Sequence, residues 1–482
     1  MSYGIVLKVL GSILTVESAL MLPALAIAFY TNGHDRMAFL TTVIITGVVG
    51  FIISKKTPIK NNVNVKEGLA IVALGWILAS LFGALPFYLS GSIPSYVDAV
   101  FETVSGFTTT GASILSNVEG LPHGILFWRS FTHWIGGMGI LVFTIALLPV
   151  LGIGGFQIFK AESPGPTADK IMPRIKDTAK ILYTTYFSIT VLQVVLLKLG
   201  GMNLFDSMLH TFGTVGTGGF GIKNNSVAFY NSTYIHIIIG TFMLLSGINF
   251  SLYYSLFKGR WKDIFKNEEL RLYLSIVLIA IIAITINLAM TSYAGIFRSL
   301  RDSFFQVSSI ITTTGYTTAN FDAWPSFSKI ILFTLMFIGG CAGSTAGGIK
   351  VVRILILIKL IKRDIAKLFH PSAFISIKNS GKKVTDETIM SINGFFILYI
   401  MIFVISTIII SLEGLDIVST SSAVAATLGN IGPGLGFVGP ANNFGGFSPA
   451  SKILFSFLML LGRLEIFTSI TLVLPKNWTR EI

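Results

Sequence analysis

Four segments of this chain share a spacing that suits them to holding a cation with backbone oxygens. In three of them an Asp precedes a Gly by 13 positions, and in the fourth a Ser replaces the Asp. Between the two residues lies an apolar stretch that is long enough for a short helix but too short to cross a bilayer. Repetition at a fixed spacing indicates repeated structural units. The four pairs are Asp98 and Gly111, Asp206 and Gly219, Asp302 and Gly315, and Ser419 and Gly432.

The pattern predicts re-entrant half-helices that enter the membrane from outside, each capped by its Asp or Ser. The carbonyl end of such a helix favours a cation, and Gly permits backbone angles that turn further carbonyls toward an axis. Nonhelical backbone at that depth is tolerated where it lines a water-filled cavity. Four such segments would replace an ion's hydration shell, as in potassium-channel filters. The predicted filter residues are Thr109, Thr110 and Gly111; Thr217, Gly218 and Gly219; Thr313, Thr314 and Gly315; and Asn430, Ile431 and Gly432.

The predicted filter is only approximately fourfold. In the second segment Thr214-Val-Gly216 offers a competing register, although the constant spacing favours Gly219. The fourth has Asn430-Ile431 where the first and third have Thr-Thr. A lone Thr-Thr-Thr-Gly is usually a turn, whereas four segments at one spacing are a specific signal.

The remaining sequence supplies the spans that must position these segments. Hydrophobic residues make up 52% of the 482 residues and charged residues only 12%, which is typical of a protein solvated by lipid. Glu17 and the length of the first window favour a retained helix over a signal peptide, despite the cleavage-like Ala24-Leu25-Ala26. Apolar windows of spanning length lie near 6–30, 37–54, 68–90, 124–150, 178–200, 232–257, 270–294, 328–361, 388–412 and 452–475.

Basic residues concentrate in the connections on one side of these windows. The 54–68, 158–180, 258–271 and 350–383 connections, with the two termini, hold 26 of the 35 Lys and Arg residues. The positive-inside rule places these connections and both termini in the cytoplasm. This distribution explains the net charge of +13 without a nucleic-acid partner.

These features predict an all-α membrane protein of four parallel helix–pore-loop–helix pseudo-repeats around one central pore. Every repeat runs from inside to outside and back, so all four share one orientation, unlike the inverted repeats of many carriers. The predicted divisions are an N-terminal two-helix hairpin at 1–66 and repeats at 67–160, 161–262, 263–383 and 384–482.

The filter segments together with 127–139 (FWRSFTHWIGGMG) and 462–467 (GRLEIF) resemble the Trk/Ktr/HKT potassium transporter superfamily. The resemblance covers essentially the whole chain, and the extra hairpin is similar to the TrkH-type branch rather than to the shorter KtrB type. Members without the first filter glycine tend to favour sodium, so the four glycines here imply potassium as the substrate. The resemblance also implies a homodimer in the cell membrane, on cytosolic TrkA-like regulatory subunits that bind a nucleotide.

The eighth window is interrupted by ten small residues that support a helix poorly. A close-packed helix crossing is one interpretation. A flexible loop that gates the pore is the favoured one, with Lys350 and the basic helix 350–367 able to carry a regulatory signal to it. The predicted gate residues are Gly339, Gly340, Gly343, Ser344, Thr345, Gly347 and Gly348, together with Arg463 of the last span.

Arg463 is predicted to lie near the middle of the last span, facing the pore below the filter and interacting with the 339–348 loop. Charges at that depth are costly and usually face a cavity or a partner. A purely structural contact with a carbonyl or with Glu465 is the alternative. Arg129 and His133 are interpreted as mostly structural.

No catalytic pattern emerges. The six His residues lack metal-type spacing, and Gly216-Thr-Gly-Gly-Phe-Gly, which resembles a nucleotide motif, falls in an outward loop. The single Cys341 excludes an internal disulfide framework, and no covalent cofactor is expected. Coupled symport with sodium or protons remains open, as does a receptor or scaffold role, although a scaffold would not need four filter glycines.

Overall fold

The computed structural model describes residues 3–55, 65–139, 175–291, 295–373, 375–464 and 466. Within these ranges the regular structure is helical except for one short antiparallel hairpin, Lys378–Asn379 with Lys382–Lys383. The predicted all-α class is therefore confirmed. The basic residues Lys56, Lys60, Lys160, Lys170, Arg174, Lys476 and Arg480, used above to orient the chain, lie outside the described residues.

Three helices form the accessory N-terminal unit: α1 (Tyr3–Leu20), α2 (Leu22–Tyr30) and α3 (Arg36–Lys55). α1 and α2 together form one candidate span. α1 and α3 pack very closely, since a Cβ on Gly11 or Gly50 would lie 2.7 Å from backbone atoms of the other helix. Small residues permit this backbone approach between apolar helices.

Each of the four repeats contains a long first helix, a short re-entrant helix and a second helix. The first helices are α4–α5 (Val65–Gly83 and Leu85–Leu89), α8 (Ile175–Leu199), α13 (Glu268–Met290) and α17 (Asp386–Ile410). The re-entrant helices are α6 (Tyr96–Phe107), α9 (Leu204–Val215), α14 (Ile296–Ile311) and α18 (Ile417–Leu428). The second helices are α7 (His123–Gly137), α10–α11 (Thr233–Ser246 and Phe250–Phe257), α15–α16 (Ser326–Leu335 and Val351–Phe369) and α19 (Pro449–Arg463). A short helix, α12 (Trp261–Lys266), joins repeats 2 and 3.

The predicted helix caps were wrong. In three repeats the side-chain cap lies three residues upstream: Ser95, Asn203 and Asp416 accept hydrogen bonds from the amides of Asp98, Asp206 and Ser419. The third re-entrant helix begins after Gly295 with no side-chain cap, and Asp302 lies inside it. Acidic residues are favoured throughout the first turn of a helix as well as at its cap. The constant 13-residue spacing alone therefore could not distinguish a cap residue from a first-turn residue.

Two of the second helices are interrupted within the windows that predicted them. Among the described residues six helices are long and apolar enough to cross a membrane, and a seventh span results if α10 and α11, bent by 95°, are counted together. The sequence predicted an interruption only in the eighth window, but the sixth is interrupted as well. There α10 ends at Ser246, with Gly247 at its C-cap, and Asn249 caps the next helix by accepting from the Ser251 amide at 2.9 Å. In repeats 1 and 4 the continuations beyond 139 and 466 lie outside the described residues.

The repeats follow one another around a closed ring. α7 packs on the re-entrant helix of repeat 2, α10 on that of repeat 3, and α19 on that of repeat 1. The ring closes with an ion pair of 2.8 Å between Lys452 of repeat 4 and Asp98 of repeat 1.

Candidate functional site: a fourfold ring of filter segments

The four predicted filter segments share one backbone conformation. The non-glycine residue two positions before each glycine and the glycine itself both have positive φ, a region that L-residues rarely adopt. The φ values are 54° and 79° for Thr109 and Gly111, 55° and 76° for Thr217 and Gly219, 56° and 84° for Thr313 and Gly315, and 55° and 96° for Asn430 and Gly432.

A matching hydrogen bond returns the chain to the re-entrant helix in every repeat. The amide just before the glycine donates to the carbonyl five residues earlier: Thr110 to Ser105 at 2.9 Å, Gly218 to Gly213 at 2.8 Å, Thr314 to Ser309 at 2.9 Å and Ile431 to Ala426 at 2.8 Å. Gly216 instead has right-handed helical angles at the end of its helix. The backbone of repeat 2 therefore aligns with the others through Gly219.

The filter segments form a ring in which each glycine faces its neighbour. A Cβ on Gly111 would overlap the Gly218 carbonyl oxygen, one on Gly219 the Thr314 oxygen, and one on Gly315 the Ile431 oxygen. The ring closes because a Cβ on Gly432 would lie 2.7 Å from the Thr110 oxygen. Each of these oxygens belongs to the residue immediately before a filter glycine, so the contact repeats four times. Only glycine fits at such a close approach.

Hydroxyl and amide side chains form a second layer at the ring. Thr108 and Thr110 share a hydrogen bond of 2.7 Å between their hydroxyls, and the equivalent pair in repeat 3, Thr312 and Thr314, shares one of 2.8 Å. Asn430 donates its side-chain amide to Thr110 Oγ1 at 2.9 Å, which links repeat 4 to repeat 1. Asn430, which replaces the first Thr of the Thr-Thr pair in repeat 4, thus adds a contact between repeats 4 and 1.

A buried ion pair supports the ring from behind. Glu102 of the first re-entrant helix and Arg129 of α7 lie 2.7 Å apart and are almost fully buried. Glu102 also accepts from Ser113 Oγ at 2.9 Å and from the Ile114 amide at 3.0 Å, and so anchors the chain that leaves the first filter segment. Charge-assisted bonds of this kind are strong and geometrically specific.

Arg129 and His133 connect the first filter segment to the second. Arg129 donates to the Gly221 carbonyl at 2.8 Å, and its guanidinium lies 3.6 Å from the ring centroid of Phe220. His133 contacts the Gly106 carbonyl at 2.7 Å through Nδ1 and the Phe220 amide at 3.2 Å through Nε2. Their interpretation as structural residues fits these contacts, which hold the first and second predicted filter segments together.

Sequence reasoning missed Glu102. Its position lies nine residues before the filter glycine, and the same position holds His210 in repeat 2 and Gln306 in repeat 3. Gln306 has an analogous role, because in the amide orientation that satisfies its neighbours its oxygen accepts from the Thr318 amide at 2.9 Å. The signal that could have identified Glu102 was a polar residue at the same position of the apolar helix in three of the four repeats.

The four filter glycines line one cavity of about 120 Å³ on the side of the ring where the chain leaves the filter. Its wall also includes Lys223, Asn224, Asn442 and Asn443. All four repeats therefore open into a common polar vestibule, as a single central pathway requires.

The 339–348 loop lies against the other side of the ring. The Gly347 amide donates to Thr313 Oγ1 at 2.6 Å, and a Cβ on Gly347 would lie 2.8 Å from the Cβ of Asn430. Thr345 donates to the carbonyls of Val215 at 3.0 Å and Ser246 at 3.2 Å. The loop thus contacts repeats 2, 3 and 4 directly beneath the filter.

Arg463 contacts this loop. It donates to the Thr345 carbonyl at 2.7 Å and to the carbonyls of Gly136 and Gly137 at 2.6 and 2.9 Å. α19 ends at Arg463, and because the residues after 466 lie outside the described part of the chain, the predicted position of Arg463 near the middle of the last span stays a prediction. Arg463 therefore makes both the predicted contact with the loop and the carbonyl contacts expected of a structural residue. Glu465, the other partner considered for Arg463, lies outside the described residues.

A ring of four equivalent backbone segments held between apolar helices of membrane-spanning length is typical of a membrane transport protein for ions. Residues 35–480 match the family model described as TrkH: Cation transport protein, and the chain belongs to this family.

Relatives match over nearly their whole length. The chain is 40% identical to the Trk system potassium uptake protein TrkH of Salmonella typhimurium and 37% identical to that of Halomonas elongata, covering 99% and 100% of this chain and 100% of each relative. It superposes on the crystal structure of the potassium transporter TrkH from Vibrio parahaemolyticus with a TM-score of 0.88 and 36% identity, over 99% of this chain and 100% of that one.

Proposed function

We propose that this chain takes up potassium across the cell membrane through a gated, channel-like selective pore. The observation that carries the proposal is the closed ring in which four equivalent glycines each face a carbonyl of the next repeat. Carbonyl rings of this kind replace the hydration shell of K⁺. The relatives named as potassium uptake proteins support the same substrate.

Potassium is the transported substrate in this proposal, and its sites are the twelve filter residues from Thr109–Gly111, Thr217–Gly219, Thr313–Gly315 and Asn430–Gly432. Uptake is driven by the membrane potential, which supplies about 2.3 kcal/mol per charge for each 100 mV. The repeat divisions given above and a cytoplasmic location of both termini belong to the same proposal.

The 339–348 loop is the gate, and Arg463 holds it closed. Thr345 and Gly347 join the loop to Arg463 and to the filter, respectively. A positive charge beneath the filter opposes cation passage until the loop rearranges. A homodimer and cytosolic nucleotide-binding regulatory subunits complete the assembly in this proposal. The relatives are named as parts of a Trk system, which supports the presence of further components.

Reversal potentials in planar bilayers test the substrate and the mechanism together. Purified full-length protein under a potassium gradient should reverse close to the potassium equilibrium potential, with little effect of sodium or pH gradients. A reversal potential that follows the sodium or proton gradient would favour coupled symport instead. One that ignores the potassium gradient would overturn the proposal.

A further inference from the structure

Glu269, in the first turn of α13, holds both sides of the loop with one carboxylate oxygen. Oε1 accepts from the Ala342 amide at 2.7 Å and from the Val352 amide at 3.1 Å. Ala342 lies inside the 339–348 loop, whereas Val352 is the second residue of α16. Glu269 is buried, so this carboxylate has little water to compete for its hydrogen bonds.

The position of this carboxylate has a clear electrostatic reason. The first amides of a helix have no partner within the helix, and the partial positive charge there favours an anion. The N-cap of α16, Lys350, provides no side-chain cap. Glu269, from another helix, therefore satisfies the start of α16 and fixes the loop at the same point.

The preceding residue, Glu268, attaches the cytosolic elements to this point. Its Oε2 accepts from Lys359 Nζ of α16 at 2.5 Å and from the Ser380 amide of the short hairpin at 2.9 Å. Lys359 Nζ also donates to the Lys378 carbonyl at 2.6 Å. The middle of α16 and the hairpin are thus joined to the residue next to Glu269.

We propose that Glu269 is a positioning residue for the gate loop and that the Glu268–Glu269 pair transmits displacement of α16 and the hairpin to that loop. The inference rests on the proposed function, since it assumes that the loop gates the pore. A force applied to the basic cytosolic surface at Lys359 reaches Ala342 through two adjacent carboxylates. Ala342 lies three residues before Thr345, which contacts Arg463.

Single-channel recording of the full-length chain in planar bilayers tests the proposal. Glu269→Ala should raise the open probability severalfold without changing the unitary conductance or the reversal potential, because the filter itself is untouched. Glu269→Gln keeps an acceptor oxygen at the same place and should restore most of the wild-type open probability. Glu387→Ala is the matched control, since Glu387 occupies the first turn of the equivalent helix in repeat 4 and is exposed.

Wild-type open probability in Glu269→Ala would overturn the proposal, as would an equal change in Glu387→Ala. If Glu269→Ala does not fold, as judged by size-exclusion chromatography, Lys359→Met provides the second measurement. That variant breaks the tie to Glu268 at a partly exposed position and should change open probability while leaving conductance unaltered; an unchanged open probability would overturn the proposal. A wild-type chain without cation current would overturn the proposed function, whereas a conducting wild type with insensitive variants would overturn only this inference.

Discussion

The amide of Gly347 donates to the hydroxyl of Thr313 at 2.6 Å and so joins the 339–348 loop, the proposed gate, to the proposed filter. Both groups are buried. Thr313 is also one of the four non-glycine residues held at positive φ by the filter turn. A change in the loop is therefore coupled directly to a strained position of the ring.

Removing this hydroxyl should weaken the closed state. Thr313→Val leaves the Gly347 amide buried without its partner, at a cost of about 1–3 kcal/mol. We expect a higher open probability in single-channel records, with Thr313→Ser close to wild type because it keeps the acceptor. Similar gating in the Val and Ser variants would contradict this role of the hydroxyl.

Replacing Gly111 by Ser should relax selectivity for potassium over sodium. The new Cβ would overlap the Gly218 carbonyl oxygen, and the φ of 79° is unfavourable for Ser. The measurement is the shift of reversal potential under bi-ionic conditions. Gly201→Ser separates strain from clash, since Gly201 has a φ of 92° but open surroundings. Unchanged selectivity in Gly111→Ser would argue against the filter assignment.

Shortening the gate loop, for example by deleting Gly343–Thr345, should raise open probability. The deletion removes the hydrogen bonds that Thr345 makes with Val215, Ser246 and Arg463. Arg463→Met removes the hydrogen bond between Arg463 and Thr345 and also a positive charge near the filter, so this variant should raise open probability as well. Lys198→Met, at an exposed membrane-end position, is the control for loss of charge. Wild-type gating in both the deletion and Arg463→Met would remove the gate hypothesis.

Breaking the buried pair behind the filter should destabilise the protein. Arg129→Met leaves the Glu102 charge buried without its main partner, and such losses cost about 3–5 kcal/mol. Thermal unfolding in detergent should show a marked decrease in midpoint temperature. Arg298→Met, in which an exposed Arg loses a longer contact of 3.7 Å with Asp302, should change it little. Equal midpoints for the two variants would contradict a supporting role for the pair.

The cap of the fourth re-entrant helix should make stability depend on acidity. Hydrogen bonds from Ser419 hold the pKa of Asp416 below its usual range. Because the folded-state pKa is lowered, the stabilisation is complete above the unfolded pKa, about 3.9, and is lost as pH falls through the folded value. Asp416→Ala should cost about 1 kcal/mol at neutral pH. The difference in unfolding midpoint between wild type and Asp416→Ala should shrink below pH 4; a constant difference would contradict the assigned cap.

Much of this architecture could be predicted because membrane helices and repeats leave strong signals along the chain. The constant spacing that ends at Gly111, Gly219, Gly315 and Gly432 predicted the four segments that share one backbone turn, and it aligned repeat 2 with the others. Runs of apolar residues predicted the first spans, since each must satisfy its backbone within lipid. The ten small residues of 339–348 predicted the break in repeat 3.

Only the tertiary structure decided which groups from distant repeats meet. Glu102 with Arg129, Gly347 with Thr313, and Glu269 with Ala342 and Val352 are contacts between separate elements, and local spacing does not encode them. The sequence pattern placed the helix caps three residues after Ser95, Asn203 and Asp416, because several positions of a first turn tolerate the same residue types. The sequence by itself determined where the repeated glycines lie, and each of them adopts a positive φ that is unfavourable for other residues. The closed ring, in which every glycine lies against the next repeat's carbonyl, follows from packing among all four repeats.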